Sequence, residues 1–181
     1  MSTKEMKMGS ALLISSPIHR EFNCNIRDNL SSNKAELMAL ILSLIVCPKA
    51  AHITIYTDSQ WVINNFNDLS NLTILEIDKS KANYKIWWLL LFKMVRIYDL
   101  NIKLVKIKAH GDNNNNKKVD KLAKLGTDKE TLIIEDVLLL HNGTICWREI
   151  PVERNLILMI KGIKDAQFID EFLSLNRNAI Y

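Results

Sequence analysis

The stretch ITIYTDSQ (residues 53–60) decides how the chain folds. Its first four residues alternate β-branched and aromatic side chains, a pattern typical of a strand in a packed sheet. The strand then ends on a carboxylate, Asp58, which two polar residues follow. In α/β sheets the carboxyl ends of the strands line the crevice where ligands bind. The stretch therefore predicts a core strand with a candidate ligand group at its end.

Helical and strand patterns alternate on both sides of this strand. The apolar run from Ala35 to Val46 is hydrophobic on nearly every face, so it predicts a long buried helix, which Pro48 ends. The alternation predicts an α/β fold with a parallel element. The other predicted elements are strands at 9–15, 20–26 and 102–108, a short helix from Ser59, a polar connector at 68–82, a long helix from Tyr84 to Asp99, a loop at 109–116 followed by a helix, a helix or strand at 131–140 and an amphipathic helix at 155–176.

Two neighbouring tryptophans, Trp87 and Trp88, lie on the second long helix. Adjacent positions of a helix face different directions, so we expect one ring in the core and the other toward solvent or a partner. A role as a platform on which bases stack is the less favoured interpretation.

Charge, cysteine content and the length of the apolar runs limit the partners and the location that we expect for the protein. The chain has 181 residues and a net charge of +4, yet residues 103–129 hold eight lysines against three aspartates, a local balance of +5. Such a stretch is either a solvated surface or a face that meets phosphates. The three cysteines lack a CxxC spacing and indicate reduced thiols. The longest apolar run is far shorter than the ~20 residues that cross a bilayer, so we expect a soluble protein. The reduced thiols predict an intracellular location, in the nucleus or the cytoplasm.

Three acids stand in unusual places. Glu36 is the one charge in the first apolar run, Asp58 ends a strand, and Asp120 borders the apolar face of a helix. Each has a structural alternative: Glu36 closes a capping box with Asn33, Asp58 caps the next helix, and Asp120 pairs with Lys124. Together they predict a carboxylate cluster. Ligands that are all oxygen favour a hard cation, Mg²⁺ or Mn²⁺.

Five motifs in order resemble the type 1 ribonuclease H domain, especially the versions that eukaryotic retrotransposons carry beside a reverse transcriptase. They are SSNKAELMAL, ITIYTDSQWVI, Asn83-x-x-x-Trp87, IKLVKIKAHGD and Asn116-x-x-Val119-Asp120-x-Leu122-Ala123-Lys124. The resemblance covers about residues 9–126 and leaves 127–181 as an extension of unknown role. It implies a ribonuclease H-like mixed sheet flanked by helices, and a reverse transcriptase domain in the parent polyprotein.

The resemblance also implies a reaction and its residues. The RNA strand of an RNA–DNA hybrid is cleaved by hydrolysis with two Mg²⁺ ions, Mn²⁺ being the other suitable cation. By position, the metal-binding carboxylates are Glu36, Asp58 and Asp120, and the mobile histidine is His110. The residues that contact the substrate strands are Asn33 and Gln60. The residue that supports the last helix is Asn116. The charges of Lys117, Lys118, Lys121 and Lys124 suit neighbouring phosphates.

One motif of the family is missing. Its first strand ends in Asp-Gly-Ser and supplies a fourth carboxylate, but only MSTKEMKM precedes Gly9, and it contains no aspartate. That strand is the centre of the family's sheet, so we expect two unpaired sheet edges here. We expect a truncated copy with little or no nuclease activity, the parent protein being the enzyme. The alternatives are a non-catalytic ribonuclease H-like module that binds nucleic acid or supports a mobile-element polymerase, and an unrelated α/β domain.

Overall fold

Strands and helices alternate through the part of the chain that the computed structural model describes, namely residues 7–26, 30–108, 114–129, 146–147, 150–153 and 156–174. The elements are, in chain order, β1 (Met8–Ile14), β2 (Arg20–Ile26), α1 (Ser32–Ile45), β3 (His52–Thr57), α2 (Gln60–Ser70), α3 (Ile74–Lys79), α4 (Lys85–Ile97), β4 (Asn101–Lys106), α5 (Asn114–Gly126), β5 (Cys146–Trp147), β6 (Ile150–Pro151) and α6 (Leu156–Ser174). The predicted strands and long helices agree with these bounds within a few residues. The element predicted at 131–140 lies outside the described residues.

The strands pair two by two. β1 and β2 are antiparallel over their whole lengths, and β3 and β4 are parallel, with Thr57 opposite Lys106 at their carboxyl ends. Within the described residues, β1 and β3 each have a strand partner on one side only. The resemblance places the missing central strand between these two edges. The predicted α/β class, with helices packed on antiparallel and parallel pairs, is confirmed.

Helices α1 and α4 form the centre of the hydrophobic core. Leu37 and Ile41 of α1 and Trp88 and Leu91 of α4 are completely buried. Burying one such side chain is worth about 1.5–3 kcal/mol, so the contact between α1 and α4 contributes substantially to the stability of the fold. Strand β3 is partly buried on one face, where Ile53 and Ile55 pack against the core, and exposed on the other, where Tyr56 is 62% exposed. The predicted core strand is therefore present, but it is half-buried and not buried.

Helix α1 begins one turn earlier than its apolar run. Its N-cap is Ser31, whose Oγ accepts a hydrogen bond of 3.1 Å from the main-chain N–H of Lys34. The interpretation that Asn33 and Glu36 form a capping box is therefore wrong. Lys34 occupies the third helical position, where a capping box would carry a carboxylate.

The segment predicted as a polar connector, residues 68–82, contains the short helix α3. Thr73 caps it: its Oγ1 accepts from the N–H of Glu76 at 3.2 Å, while Glu76 Oε2 accepts from the N–H of Thr73 at 2.7 Å. Ile77 then anchors the helix in the core, with no exposed surface. Helix α5 likewise begins at Asn114, inside the segment predicted as a loop.

The two tryptophans of α4 point in different directions, as predicted. Trp88 is fully buried and lies against Trp61 and Phe92, with ring centroids about 6 Å apart. Trp87 is half-buried, and its Nε1 donates to the carboxylate of Glu153 at 2.7 Å. The partner of Trp87 is thus a residue of the C-terminal extension.

The C-terminal extension contains a helix where an amphipathic one was predicted. Helix α6 spans Leu156–Ser174 and leaves Ile160, Phe168 and Ile169 exposed. None of the helices in the described ranges combines the length and the apolar character that crossing a bilayer requires.

Candidate active site

Asp58 lies where β3 meets α2, and its side chain is not used to start that helix. The N-cap of α2 is Ser59, whose Oγ accepts from the N–H of Val62 at 3.3 Å, so the alternative that Asp58 caps the helix is wrong. The Asp58 carboxylate instead accepts a bond of 3.3 Å from Nδ2 of Asn116 in α5. This bond ties the end of β3 to the helix that carries the third acid.

Glu36 has a strongly altered acidity. The pKa of this carboxyl group is raised from 4.5 to about 7, mainly by burial and also by the negative charges of Asp58 and Asp120, while the charge of Lys106 acts in the opposite direction. Asp58 at the end of β3 and Asp120 of α5 are therefore each close enough to Glu36 of α1 to repel its negative charge. The repulsion is a reason for a cation to bind here.

Asp120 is exposed on α5 and makes no ion pair with Lys124, so the predicted alternative role as its salt-bridge partner is wrong. Helix α5 is held against the antiparallel strand pair, since Asn23 Nδ2 donates to the carbonyl of Leu122 at 2.8 Å. Gly9 of β1 permits this close approach: a Cβ at this position would lie 1.8 Å from the carbonyl oxygen of Ala123. A larger residue at Gly9 would displace α5 and Asp120 with it.

The carboxylates fit a divalent cation in kind, because each offers oxygen ligands. Within the described ranges, however, no three acidic, histidine or cysteine side chains lie close enough together to hold a metal ion. The acids interact through their charges without forming a coordination shell.

Lys106 joins the cluster, although the motifs gave it no role. Its Nζ donates to the main-chain carbonyl of Asp58, and its charge lowers the pKa of Glu36. The parallel register explains this position, since Lys106 lies opposite Thr57 at the carboxyl end of β4. The sequence did contain a signal for this role: Lys106 ends the strand that we expected to lie near β3, and β3 is followed by Asp58. The motif analysis did not use it.

The predicted substrate residues take up different positions around the acids. Asn33 is half-buried in the first turn of α1, three residues before Glu36. Gln60 is exposed at the start of α2, and its Nε2 donates to Asn64 Oδ1 at 2.8 Å. His110 lies outside the described residues.

The predicted phosphate-binding lysines of α5 differ in their surroundings. Lys117 is exposed. Lys118 forms an ion pair with Glu21 of β2 and lies 3.5 Å from the ring of His19. The hydrogen bond from Lys118 lowers the pKa of the Glu21 carboxyl group, and the hydrogen bond from His19 lowers it to a smaller extent. Lys118 therefore ties α5 to β2, whereas Asn116 ties the same helix to Asp58.

Comparison with known proteins identifies relatives of this arrangement. A family model described as RNase H matches residues 1–128. Ribonuclease H of Caldanaerobacter subterraneus subsp. tengcongensis is 29% identical over 119 residues, which cover 63% of this chain and 76% of that protein. Ribonuclease HI of Haemophilus ducreyi is 32% identical over 117 residues, covering 59% and 70%.

A solved structure also matches. The prototype foamy virus protease–reverse transcriptase aligns with 71% of this chain at 17% identity and a TM-score of 0.37. The chain spans about a fifth of the length of that viral protein, as the alignment covers 20% of it.

Proposed function

The chain belongs to the ribonuclease H family, and we propose that it binds RNA–DNA hybrids at the cluster of Glu36, Asp58 and Asp120, where proteins of this architecture hydrolyse the RNA strand. The observation that carries the proposal is the electrostatic coupling of the acids: the pKa of Glu36 is raised to about 7 by burial and by the charges of the other two. A buried acid with a strongly raised pKa, beside a carboxylate at the carboxyl end of a strand, favours a functional site over a structural one.

The donor set supports metal-dependent hydrolysis. When bound, two divalent ions, Mg²⁺ or Mn²⁺, supply an activated water and neutralise charge on the leaving oxygen. Glu36 must lose its proton to serve as a ligand, so its raised pKa makes metal affinity depend on pH. The amide of Asn116 and the ammonium group of Lys106 fix Asp58 through its carboxylate and its carbonyl respectively.

Polar side chains near the acids suit the two strands of a hybrid. The amides of Asn33 and Gln60 offer both donors and acceptors, which is what reading a 2′-hydroxyl requires. The exposed lysines of α5, Lys117 and Lys121 among them, suit the phosphates of the backbone. For His110 we propose the assistance to proton movement and product release that the family resemblance implies.

For the 181-residue chain itself we propose little or no turnover. Its sequence contains no Asp-Gly-Ser, and residues 1–8 contain no aspartate, so three carboxylates of the family's four are present. We propose that a reverse transcriptase-containing parent protein is the active form.

The test compares Asp58→Asn with the control Asp68→Asn, which changes an exposed aspartate of α2. We expect the purified chain to bind an RNA–DNA hybrid in fluorescence anisotropy, and both variants to bind within about twofold of it, because one added amide changes few phosphate contacts. Mg²⁺ should raise the melting temperature of the wild type and of Asp68→Asn but not of Asp58→Asn. Equal stabilisation of all three proteins by Mg²⁺, or absence of hybrid binding, would contradict the proposal.

A second candidate is a non-catalytic module that binds nucleic acid. The missing Asp-Gly-Ser motif favours it, because a module that only binds no longer needs the fourth carboxylate. Cleavage separates the two candidates when it is measured on a version of the chain to which the family's Asp-Gly-Ser strand has been added, because both candidates predict little or no turnover by the 181 residues alone. A hybrid labelled on its RNA strand should be cut in Mg²⁺, to fragments with a 5′ phosphate and a 3′ hydroxyl, by an enzyme and left intact by a module that only binds.

A further inference from the structure

Lys34 occupies a position that a lysine should avoid. It is the third residue of α1, at the end of the helix where the dipole is positive and where negative groups are favoured. Its side chain is also 3% exposed, and burying an ammonium group without compensation is strongly unfavourable. Both effects act against folding unless a negative group comes close.

That group comes from the C-terminal extension, 119 residues further along the chain. Glu153 Oε1 accepts from Lys34 Nζ at 2.9 Å and from Trp87 Nε1 at 2.7 Å, and Glu153 is itself 5% exposed. The Lys34 ammonium group also lies 5.5 Å from the centre of the Trp87 ring. One carboxylate thus connects the first turn of α1 with the first turn of α4.

The main chain of Glu153 makes a further contact at the same place. Its carbonyl oxygen accepts from the N–H of Tyr84 at 2.7 Å. Tyr84 precedes α4 with φ 59° and ψ 32°, a left-handed conformation that is unfavourable for a residue with a side chain, and no side chain caps that helix. The Tyr84 hydroxyl then meets Ser31 Oγ, the N-cap of α1, at 2.6 Å. Glu153 therefore supports the start of both helices.

We propose that residues 150–153 form a latch in which Glu153 is a positioning residue for the active site. By neutralising Lys34 and holding Tyr84, the latch fixes the turn of α1 that carries Asn33 and leads into Glu36. The chain segment beyond the family match at residue 128 thus completes the site. The effect on hybrid binding rests on the proposed function, whereas the coupling between Lys34 and Glu153 does not.

The first experiment measures that coupling by urea denaturation of Lys34→Met, Glu153→Gln and the double variant. Each single change should lower the midpoint, because it leaves a buried charge beside a neutral partner. The double variant should recover much of the loss, with a coupling of at least about tenfold in the unfolding equilibrium constant. The exposed pair Lys7 and Asp128, 3.7 Å apart, is the matched control and should show additive changes.

The second experiment separates positioning from mere stability. Under conditions where every variant is fully folded, Glu153→Gln should weaken hybrid binding about threefold or more, as measured by fluorescence anisotropy. In the same variant, amide hydrogen exchange should accelerate more in the first turn of α1 than in the centre of α4. Asp128→Asn should change neither. Trp87→Phe, which keeps an aromatic but smaller ring and removes the Nε1 donor, should give an intermediate result and serves if Glu153→Gln does not fold.

The outcomes distinguish this inference from the proposed function. Additive effects of Lys34→Met and Glu153→Gln overturn the latch, and so does wild-type hybrid affinity in a folded Glu153→Gln variant. A wild-type chain that binds no hybrid contradicts the proposed function alone, because the urea cycle and the hydrogen exchange still test the latch.

Discussion

Among the described residues, Glu36 has the most strongly shifted pKa. Its pKa of about 7 lies above the ordinary 4.5 because burial and two neighbouring carboxylates disfavour the ionised form. The folded protein therefore binds more protons than the unfolded chain between these two values. The resulting stabilisation is fully present below pH 4.5 and is lost as the pH rises through 7.

Removing this carboxyl group should remove that dependence on pH. Without divalent ions, the free energy of unfolding of the wild type should fall by about 2 kcal/mol more between pH 5 and pH 8 than that of Glu36→Gln. The reason is that glutamine does not ionise. Urea denaturation with a chelator at several pH values between 4.5 and 8 measures the difference. The same pH dependence in both proteins would contradict a raised pKa at Glu36, whether burial or the charges of Asp58 and Asp120 were its cause.

At the scale of the element, α3 shows how a short helix is specified. Six residues are too few to be stable alone, so the helix depends on its cap and on one anchor, Ile77. The Thr-x-x-Glu spacing from Thr73 to Glu76 was the signal for a capping box, but the surrounding polar residues favoured the interpretation as a connector.

Loss of the cap should therefore destabilise the fold measurably. Thr73→Ala removes the hydroxyl that accepts the N–H of Glu76 and should cost about 1 kcal/mol in the free energy of unfolding. Thr73→Ser keeps the hydroxyl and should stay within about 0.5 kcal/mol of the wild type. Equal loss in both variants would mean that the Thr73 methyl group, and not the cap, stabilises α3.

For the whole molecule, the sequence predicted the helices, the strands and the site residue that local residue patterns specify. Apolar periodicity located α1 and α4, alternation located β3, and the end of that strand located Asp58. The contact between Lys34 and Glu153 joins residues 119 positions apart, and no local pattern specifies such a pairing. A lysine in the first turn of a helix was nevertheless a hint that a distant carboxylate had to approach. The roles of the predicted site residues remain predictions until binding and cleavage are measured.

The charge distribution of the whole molecule leads to the last prediction. Lys117, Lys121 and Lys124 are exposed at helical spacing on α5, on the side of the helix next to Asp120, whereas Lys118 forms an ion pair with Glu21. A lysine that meets a phosphate releases counterions on binding, so it contributes to the salt dependence of hybrid affinity. Lys121→Gln should therefore lower the slope of log affinity against log salt by about one, and Lys118→Gln should change it less. If Lys121→Gln and Lys118→Gln had equal slopes of log affinity against log salt, the hybrid would bind to a different face from the one that contains Lys121 and Asp120.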